Sequence, residues 1–381
     1  MKILYYTDYL LNEYNSVRDI LFNFLLHPEV QNDEQVVVHS GGRIGRNYCW
    51  KEEEMEGYKT YYTVNIASEK KRGNGFLNGI TTKILDVLQM NKIRGVVGNN
   101  KYFKKILKKE NPNLVIFLTF TPNKRISKIC DAAGVPYAVC LYDTYVSRPN
   151  MNQKKVIRKE KYIINNSIGY FVPNFFYGDY QKYYQSSKLK EYCLPLLIDK
   201  EEVLKAYKNS QGEAYEFTYF GQIQSFRNRD TTKKIFEQLK TKLDVFTTQS
   251  YKDDGVFFFH PALTQGELYS VIVRSKYLVA FDNSAPYEHY LPSKAYLYVS
   301  FTKPVIVFGD NQTSAIRKFF EGYPFFYYQN IYEPLDGLME FLQKELPQVF
   351  DESVYSKYTI YSKQDGIEPL AQVIKECKKD N

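Results

Sequence analysis

Residues 290–307, YLPSKAYLYVSFTKPVIV, contain in one stretch the alternation that decides the fold. Pro292 suits the first turn of a helix, where its missing N–H needs no partner. The pattern predicts a helix over Ser293–Ser300 that ends before Pro304. The apolar run that follows predicts a buried strand over Pro304–Phe308. A helix that leads directly into a short buried strand is the repeating unit of a parallel α/β sheet.

The same alternation of short apolar runs and longer helical patterns continues along the whole chain. In the first half we predict strands over Lys2–Tyr6, Gln35–His39, Tyr58–Val64, Leu114–Leu118, Tyr137–Leu141 and Gly169–Val172. The helical patterns between them cover Val17–Leu26, Gly79–Met90, Tyr102–Lys109 and Lys124–Ala133. The second half adds strands over Phe217–Phe220, Asp244–Thr247, Val256–Phe259 and Tyr277–Phe281, and helices over Thr231–Leu239, Gly266–Val273 and Thr313–Phe320. This order predicts the α/β class with parallel sheets.

The rhythm restarts after residues 194–199, where a polar stretch, 200–213, follows a short apolar run. A chain of 381 residues is long enough for two or three domains of about 150 residues each. We predict two Rossmann-like domains, residues 1–198 and residues 199–355. The last segment, residues 356–381, contains a helical pattern that we expect to pack back on the first domain.

The composition is that of an ordinary globular protein, with 44% hydrophobic and 25% charged residues. The net charge of +8, from 51 Lys and Arg against 43 Asp and Glu, suits an anionic ligand or surface. No stretch approaches the roughly 20 apolar residues of a membrane span, and the first residues resemble a strand rather than a secretion signal. We therefore expect a cytoplasmic protein, with its five scattered cysteines reduced and its four histidines too dispersed for a metal site.

A first candidate ligand site follows the strand predicted over Phe217–Phe220. Gly221 comes directly after this strand, and Arg227 and Arg229 follow in a polar loop. Ligands of open α/β sheets bind beyond the carboxyl ends of the strands. A glycine there lets the backbone approach a phosphate, and a guanidinium can neutralise it with forked hydrogen bonds. The alternative is a tight turn followed by two solvated arginines.

A second candidate site is the start of the helix predicted over Ser293–Ser300. Ser293 offers a hydroxyl, the first turn of the helix offers N–H groups, and Lys294 adds a positive charge at the same place. Together these groups predict an anion site. The alternative is a plain connection between a helix and a strand, with a solvated lysine.

In this order, the two segments resemble the GT-B glycosyltransferases, in particular the group-1 or family-4-like enzymes of bacterial surface polysaccharide synthesis. In that family a strand, a glycine and a loop with a basic residue open the second domain, as Gly221 and Arg227 or Arg229 do here. The family segment P-x-K-x-x-E-Y-x-x-x-G-K-P-V is matched at Pro292, Lys294, Tyr298, Lys303, Pro304 and Val305. Further similarity lies at residues 111–116, 134–143 and 268–283.

The resemblance implies two Rossmann-like domains that face each other across a cleft, with the acceptor on the first domain and a nucleotide-sugar donor on the second. It implies that the donor diphosphate lies against the helix start at Ser293 and Lys294. It also implies that the loop at His260 borders the nucleobase. The expected partners are therefore a nucleotide sugar and a glycan or lipid-linked acceptor.

Three positions depart from the family pattern. Leu297 stands where the family has the glutamate that binds the donor ribose, His289 stands where it has the paired acid eight residues earlier, and Thr302 stands where it has glycine. An apolar side chain cannot accept from ribose hydroxyls, and Glu288 in the neighbouring loop is the candidate substitute. Two alternatives to a glycosyltransferase therefore remain: a polysaccharide pyruvyltransferase on the same scaffold, and a non-catalytic binding protein with a degenerate donor site.

Transfer of a sugar from a nucleotide diphosphate requires stabilisation of the leaving diphosphate, which basic side chains can supply without a metal. We therefore expect no metal and no cofactor beyond the donor itself. An inverting reaction also requires a base near the acceptor hydroxyl. Asp143, after the strand Tyr137–Leu141, is the first candidate base, and Asp8, after the first strand, is the second. The alternative is that these carboxylates cap helices or face water, and a retaining reaction would need no such base.

Three basic clusters, at residues 70–72, 101–109 and 154–161, suit an anionic membrane surface. In the second cluster the apolar residues have helical spacing, as in a basic amphipathic helix that lies on a bilayer. The alternative is an ordinary solvated helix face. Because no nucleic-acid-binding motif occurs, we expect no nucleic-acid partner.

Overall fold

The computed structural model of the protein describes residues 1–7, 30–39, 48–55, 57–65, 90–119, 124–141, 153–192, 198, 200–223, 229–249, 251–282, 291–292, 294–310, 314–358 and 368–379. The chain forms two compact units. The first comprises residues 1–146, 151–194 and 366–381, and the second comprises residues 147–150 and 195–365. The division after Leu194 lies close to the boundary predicted after residue 198.

The first unit is built on an eight-stranded sheet. Its strands are β1 (Lys2–Thr7), β2 (Glu34–His39), β3 (Tyr48–Met55), β4 (Tyr58–Asn65), β5 (Leu114–Thr119), β6 (Tyr137–Leu141), β7 (Gly169–Pro173) and β8 (Leu189–Tyr192). Their spatial order is β3-β4-β2-β1-β5-β6-β7-β8, and all neighbours are parallel except the β3–β4 hairpin. The helices described between them are α1 (Met90–Glu110), α2 (Lys124–Ala133), α3 (Gln153–Asn166) and α4 (Asn174–Tyr184).

Aromatic side chains fill the core of this unit. Tyr6 packs edge-on against Phe103 and Phe117, with ring centroids 5.1 and 5.8 Å apart. Phe103 belongs to α1, whose Ile106 and Leu107 are also buried in the same core. The apolar side of α1 therefore faces the sheet, so this side is not available to a bilayer. The association of its basic side with an anionic surface stays a prediction.

The second unit is built on a six-stranded, fully parallel sheet. Its strands are β9 (Tyr215–Phe220), β10 (Leu243–Phe246), β11 (Phe257–His260), β12 (Ser275–Phe281), β13 (Val305–Gly309) and β14 (Phe326–Asn330). Its helices are α5 (Lys200–Asn209), α6 (Arg229–Leu239), α7 (Gln265–Arg274), α8 (Lys294–Ser300), α9 (Ala315–Phe319), α10 (Asp336–Gln343) and α11 (Glu352–Tyr358). The spatial order β11-β10-β9-β12-β13-β14 is the Rossmann order, and it places the switch point between β9 and β12.

The last helix, α12 (Glu368–Lys379), belongs to the first unit and contacts β7 and β8. The Lys378 ammonium lies 2.7 Å from Asp33 Oδ2, just before β2. The other oxygen of Asp33 accepts from the Met1 amine at 3.0 Å. One carboxylate thus holds this helix and the start of β1 together.

Three strands that the sequence pattern does not predict, β3, β8 and β14, all lie at sheet edges. Edge strands are half-solvated and often charged, so their apolar signal is weak. The five described residues after Trp50 in β3 are exposed, and β8 is buried only at its two ends, Leu189 and Tyr192. Helix α5 lies in the polar stretch 200–213, where no helix is predicted, because only Val203 of this helix is buried and its apolar pattern is weak.

Candidate functional site

The carboxyl edge of the second sheet has its switch point at the ends of β9 and β12. Leu278 pairs with Thr218, and continuing that register brings Phe281 level with Gly221. Gly221 has φ +114°, a backbone conformation that favours glycine. The residue predicted to approach a ligand therefore lies at the place where open α/β sheets bind their ligands.

Lys294 reaches this same place from the start of α8. Its ammonium donates to the Phe220 carbonyl at 2.5 Å and lies 3.8 Å from the centroid of the Tyr219 ring. A Cβ on Gly221 would come within 3.1 Å of this ammonium. The structure thus brings together Gly221 and Lys294, which the sequence places in separate motifs.

Helix α8 itself is short. It has seven residues, and the Pro292 carbonyl accepts from the Ala295 N–H at 2.9 Å in its first turn. So short a helix has a small macrodipole, so the Lys294 ammonium is the stronger positive group here.

An acidic group that the sequence pattern does not single out lies at the end of β12. Asp282 is 1% exposed and accepts from the Tyr328 hydroxyl at 3.1 Å. A Cβ on Gly309, at the end of β13, would lie 2.4 Å from the Asp282 Cβ. A carboxylate directly after a buried apolar strand is the signal that could have identified it.

Arg229 is the first residue of α6 and is engaged elsewhere. Its Nη2 lies 3.1 Å from Asp254 Oδ2, and Lys233 lies 3.4 Å from the same oxygen. Burial by itself would raise the pKa of Asp254, but the backbone N–H groups of Phe257 and Val256 and the Lys233 ammonium outweigh it and lower the pKa. The Arg229 guanidinium therefore supports the loop before β11, and its predicted role in the donor site stays a prediction.

His260 ends β11, and its ring is held from two sides. Its Nε2 lies 2.7 Å from Oδ1 of the buried Asp244, and the ring stacks on Phe246 at 4.6 Å. A third of the side chain is exposed. This geometry fixes the His260 ring at the carboxyl edge of the sheet. That the loop at His260 borders the nucleobase stays a prediction.

The connection from α8 to β13 explains one departure from the family pattern. Thr302 has φ +49°, a conformation that glycine adopts without strain. Its hydroxyl accepts from the Asp351 N–H at 2.9 Å, and this hydrogen bond offsets part of the cost of the backbone conformation. The next residue, Lys303, is buried and donates to the Val273 carbonyl and Gln348, and burial lowers its pKa to about 8. Lys303 is thus a packing residue.

The other predicted site residues, Asp8, Asp143, Arg227, Glu288 and Ser293, lie outside the described residues. Within the ranges that the structure covers, no group of three or more His, Cys, Asp or Glu side chains is placed to hold a metal ion.

No family model and no curated protein matches the sequence. Solved structures are similar in fold. An α,α-trehalose-phosphate synthase (UDP-forming) from Burkholderia xenovorans, in complex with glucose-6-phosphate, has a TM-score of 0.65 at 10% identity, covering 98% of this chain and 100% of its own. A sucrose-phosphate synthase from Thermosynechococcus elongatus has a TM-score of 0.61 at 8% identity, covering 100% and 99%. A glycosyltransferase from Rickettsia africae has a TM-score of 0.59 at 10% identity, covering 100% and 99%.

These similarities extend over nearly the whole chain. Because the sequence identities are only 8–10%, they establish the fold and no more. Together with the two sheets and the Rossmann strand order of the second unit, they confirm the predicted fold class. The chain has the GT-B fold, with two Rossmann-like domains.

Proposed function

We propose that this protein is a glycosyltransferase that moves a sugar from a nucleotide-diphosphate sugar to a glycan or lipid-linked acceptor. The observation that carries the proposal is the Lys294 ammonium against Gly221 at the switch point of the second sheet. A lysine ammonium beside a glycine suits a diphosphate, because the missing side chain lets the phosphate oxygens come close to the backbone. The fold neighbour from Burkholderia is named as UDP-forming, which supports a nucleotide-sugar donor.

In this proposal the protein acts mainly by stabilising the leaving group of the reaction, the nucleotide diphosphate. Negative charge gathers on the diphosphate as the sugar–oxygen bond breaks, and the Lys294 ammonium stabilises it. An ammonium has three N–H donors, so its bond to Phe220 does not by itself exclude a phosphate oxygen. In an inverting reaction a base would take the proton of the acceptor hydroxyl. Asp143 is the first candidate for this base, and Asp8 is the second. No step requires a metal.

The finer assignment, bacterial surface polysaccharide such as capsule, rests on the sequence resemblance. The trehalose-phosphate synthase and the sucrose-phosphate synthase are named for sugar-phosphate products. That chemistry belongs to those proteins, and we keep the glycan or lipid-linked acceptor as our proposal because their identity to this chain is only 8–10%.

Nucleotide binding is the first test of the donor site. UDP, GDP, CMP and ADP are each added to the protein in thermal-shift measurements, and one of them is expected to raise the melting temperature. At 100 times Kd the stabilisation is about 2.7 kcal/mol, which corresponds to roughly 5–10 °C for a domain of this size. Stabilisation by none of the four at millimolar concentration would overturn the donor assignment.

A non-catalytic binding protein is the second candidate, and Leu297 favours it. This side chain lies on α8, where the family has its ribose-binding glutamate. Such a protein would bind the nucleotide sugar without consuming it. Slow hydrolysis of the bound donor, followed over hours by release of free nucleotide, would decide for the enzyme.

We also propose that the first unit associates with an anionic membrane surface through charge. Helices α1, α2 and α3 pack side by side. Their described residues expose eleven basic side chains and one acid, Asp131. The basic residues are Lys101, Lys104, Lys105, Lys108, Lys109, Arg125, Lys128, Lys154, Arg158, Lys159 and Lys161. Each basic residue near such a surface contributes about 1 kcal/mol. No described helix is long and apolar enough to cross a bilayer.

Vesicle flotation tests this surface. The protein is expected to float with vesicles that contain phosphatidylglycerol, to stay behind with pure phosphatidylcholine vesicles, and to be released by salt. Lys104→Glu with Lys108→Glu should weaken flotation, whereas the matched pair Lys252→Glu with Lys318→Glu, exposed in the second unit, should not. Equal binding to both kinds of vesicle would contradict the proposal.

A further inference from the structure

A cleft of about 210 Å³ lies in the first unit between the β3–β4 hairpin and α1. At about 30 Å³ per water molecule it has room for about seven waters, or one ring-sized group. Its walls include Trp50 of the hairpin and Tyr102 of α1, and the buried Tyr61 and Ile106 also line it. None of the predicted site residues lines this cleft.

Two aromatic rings form a wedge in this cleft. The Trp50 and Tyr102 rings are 5.7 Å apart and tilted by 36°, so they do not stack flat on each other. Tyr102 is 40% exposed, although large apolar rings are usually covered. The wedge consists of the exposed Tyr102 ring and the half-buried Trp50 ring, and it offers their negatively charged π faces to a ligand.

The charges around the wedge are positive. The Lys105 ammonium lies 5.6 Å from the Tyr102 ring, and the Lys109 ammonium lies 5.6 Å from the Tyr61 ring. Glu52 lines the same cleft but is held by Lys109 at 2.6 Å and Lys59 at 2.9 Å. These two ammonium groups, Lys109 first, lower the pKa of Glu52 to about 2. The cleft lining carries three lysines, Lys51, Lys105 and Lys109, against Glu52, so its net charge is positive and favours an anionic ligand.

We propose that this aromatic–lysine cleft binds a carboxylate-bearing sugar ring, one unit of an acidic glycan. The C–H face of a sugar ring is weakly positive and fits the π faces of Trp50 and Tyr102. Its carboxylate would pair with Lys105. The exposed Lys101 and Lys104 lie on the same helix and favour further acidic units along the chain. The inference rests on the proposed function, and it gives the acceptor glycan an acidic character.

Trp50 makes the test direct, because it is the single tryptophan of the sequence. Its fluorescence is followed while oligogalacturonate is added to the full-length protein, with maltooligosaccharide and inorganic phosphate as comparisons. A saturable change with oligogalacturonate alone among these three is expected. No change with it, or the same change with maltooligosaccharide or phosphate, would overturn the proposal.

Variants locate the binding. Tyr102→Ala should weaken oligogalacturonate binding about tenfold, and Lys105→Gln about three- to fivefold, as one partly exposed ion pair does. Tyr183→Ala, an exposed tyrosine on α4, is the matched control and should leave binding unchanged. Unchanged binding in both cleft variants would place the sugar elsewhere. This readout needs no donor, so its failure is distinct from a failure of nucleotide binding or transfer.

Discussion

Lys294→Ala is expected to abolish the thermal stabilisation by the donor nucleotide and to lower kcat/KM by about 100- to 1,000-fold, as loss of one group that stabilises transition-state charge does. The ammonium lies against Phe220 and Gly221, where the switch point would receive a diphosphate. Nucleotide binding is measured by thermal shift, and transfer by release of the free nucleotide diphosphate.

The matched control is Lys318→Ala, an exposed lysine on α9 of the same unit, which should change neither quantity. Lys294 also holds the Phe220 carbonyl and the Tyr219 ring, so the melting temperature of each variant without nucleotide shows how much of the effect is structural. An undiminished nucleotide shift in Lys294→Ala would remove the phosphate role of this residue.

The sheets were predictable from the sequence because parallel strands are buried on both faces and form continuous apolar runs. The predicted strand over Tyr137–Leu141 coincides with β6, whose five residues are all buried. The edge strand β3 has the sequence YCWKEEEM. Its four charged residues interrupt the apolar pattern by which a strand is predicted. Its partner in the hairpin, β4, supplies the pairing that makes it a strand, and pairing is not visible in a local pattern.

The site was predictable in parts. Gly221 and Lys294 each stand in a recognisable motif, but their contact depends on the neighbouring positions of β9 and β12 in the sheet. Arg229 follows Gly221 in the sequence, but its ion pair with Asp254, farther along the chain, is visible only in the structure. Asp282 stands in neither of the two predicted motifs, and its bond from Tyr328 joins the end of β12 to the middle of β14. Contacts between segments distant in sequence are therefore what sequence reasoning missed.

Glu160→Ala is expected to lower the free energy of unfolding by about 3–5 kcal/mol, because three tyrosine hydroxyls lose their acceptor at a cost of about 1–3 kcal/mol for each that is buried. Glu160 lies on α3 and is 0% exposed. Its Oε1 accepts from the hydroxyls of Tyr170 at 2.8 Å and Tyr180 at 3.1 Å, and its Oε2 accepts from Tyr184. Burial first, and then the Glu160 charge, raise the pKa of Tyr170 well above its ordinary value, so this hydroxyl keeps its proton and needs an acceptor. Urea unfolding followed by circular dichroism measures the change.

Two further variants separate the network from the mere loss of a side chain. Glu160→Gln keeps the shape and one carbonyl acceptor for Tyr170 and Tyr180, so it should lose less than half of the stability lost in Glu160→Ala. Glu191→Ala, an exposed glutamate on β8 of the same unit, should stay within about 0.5 kcal/mol of the unchanged protein. If Glu160→Ala were equally mild, the three hydroxyls would have found other acceptors, and the carboxylate would not be what joins α3, β7 and α4. If it is severe, this carboxylate supports the crossover from β6 to β7, the same connection in which Asp143 precedes α3 in the sequence.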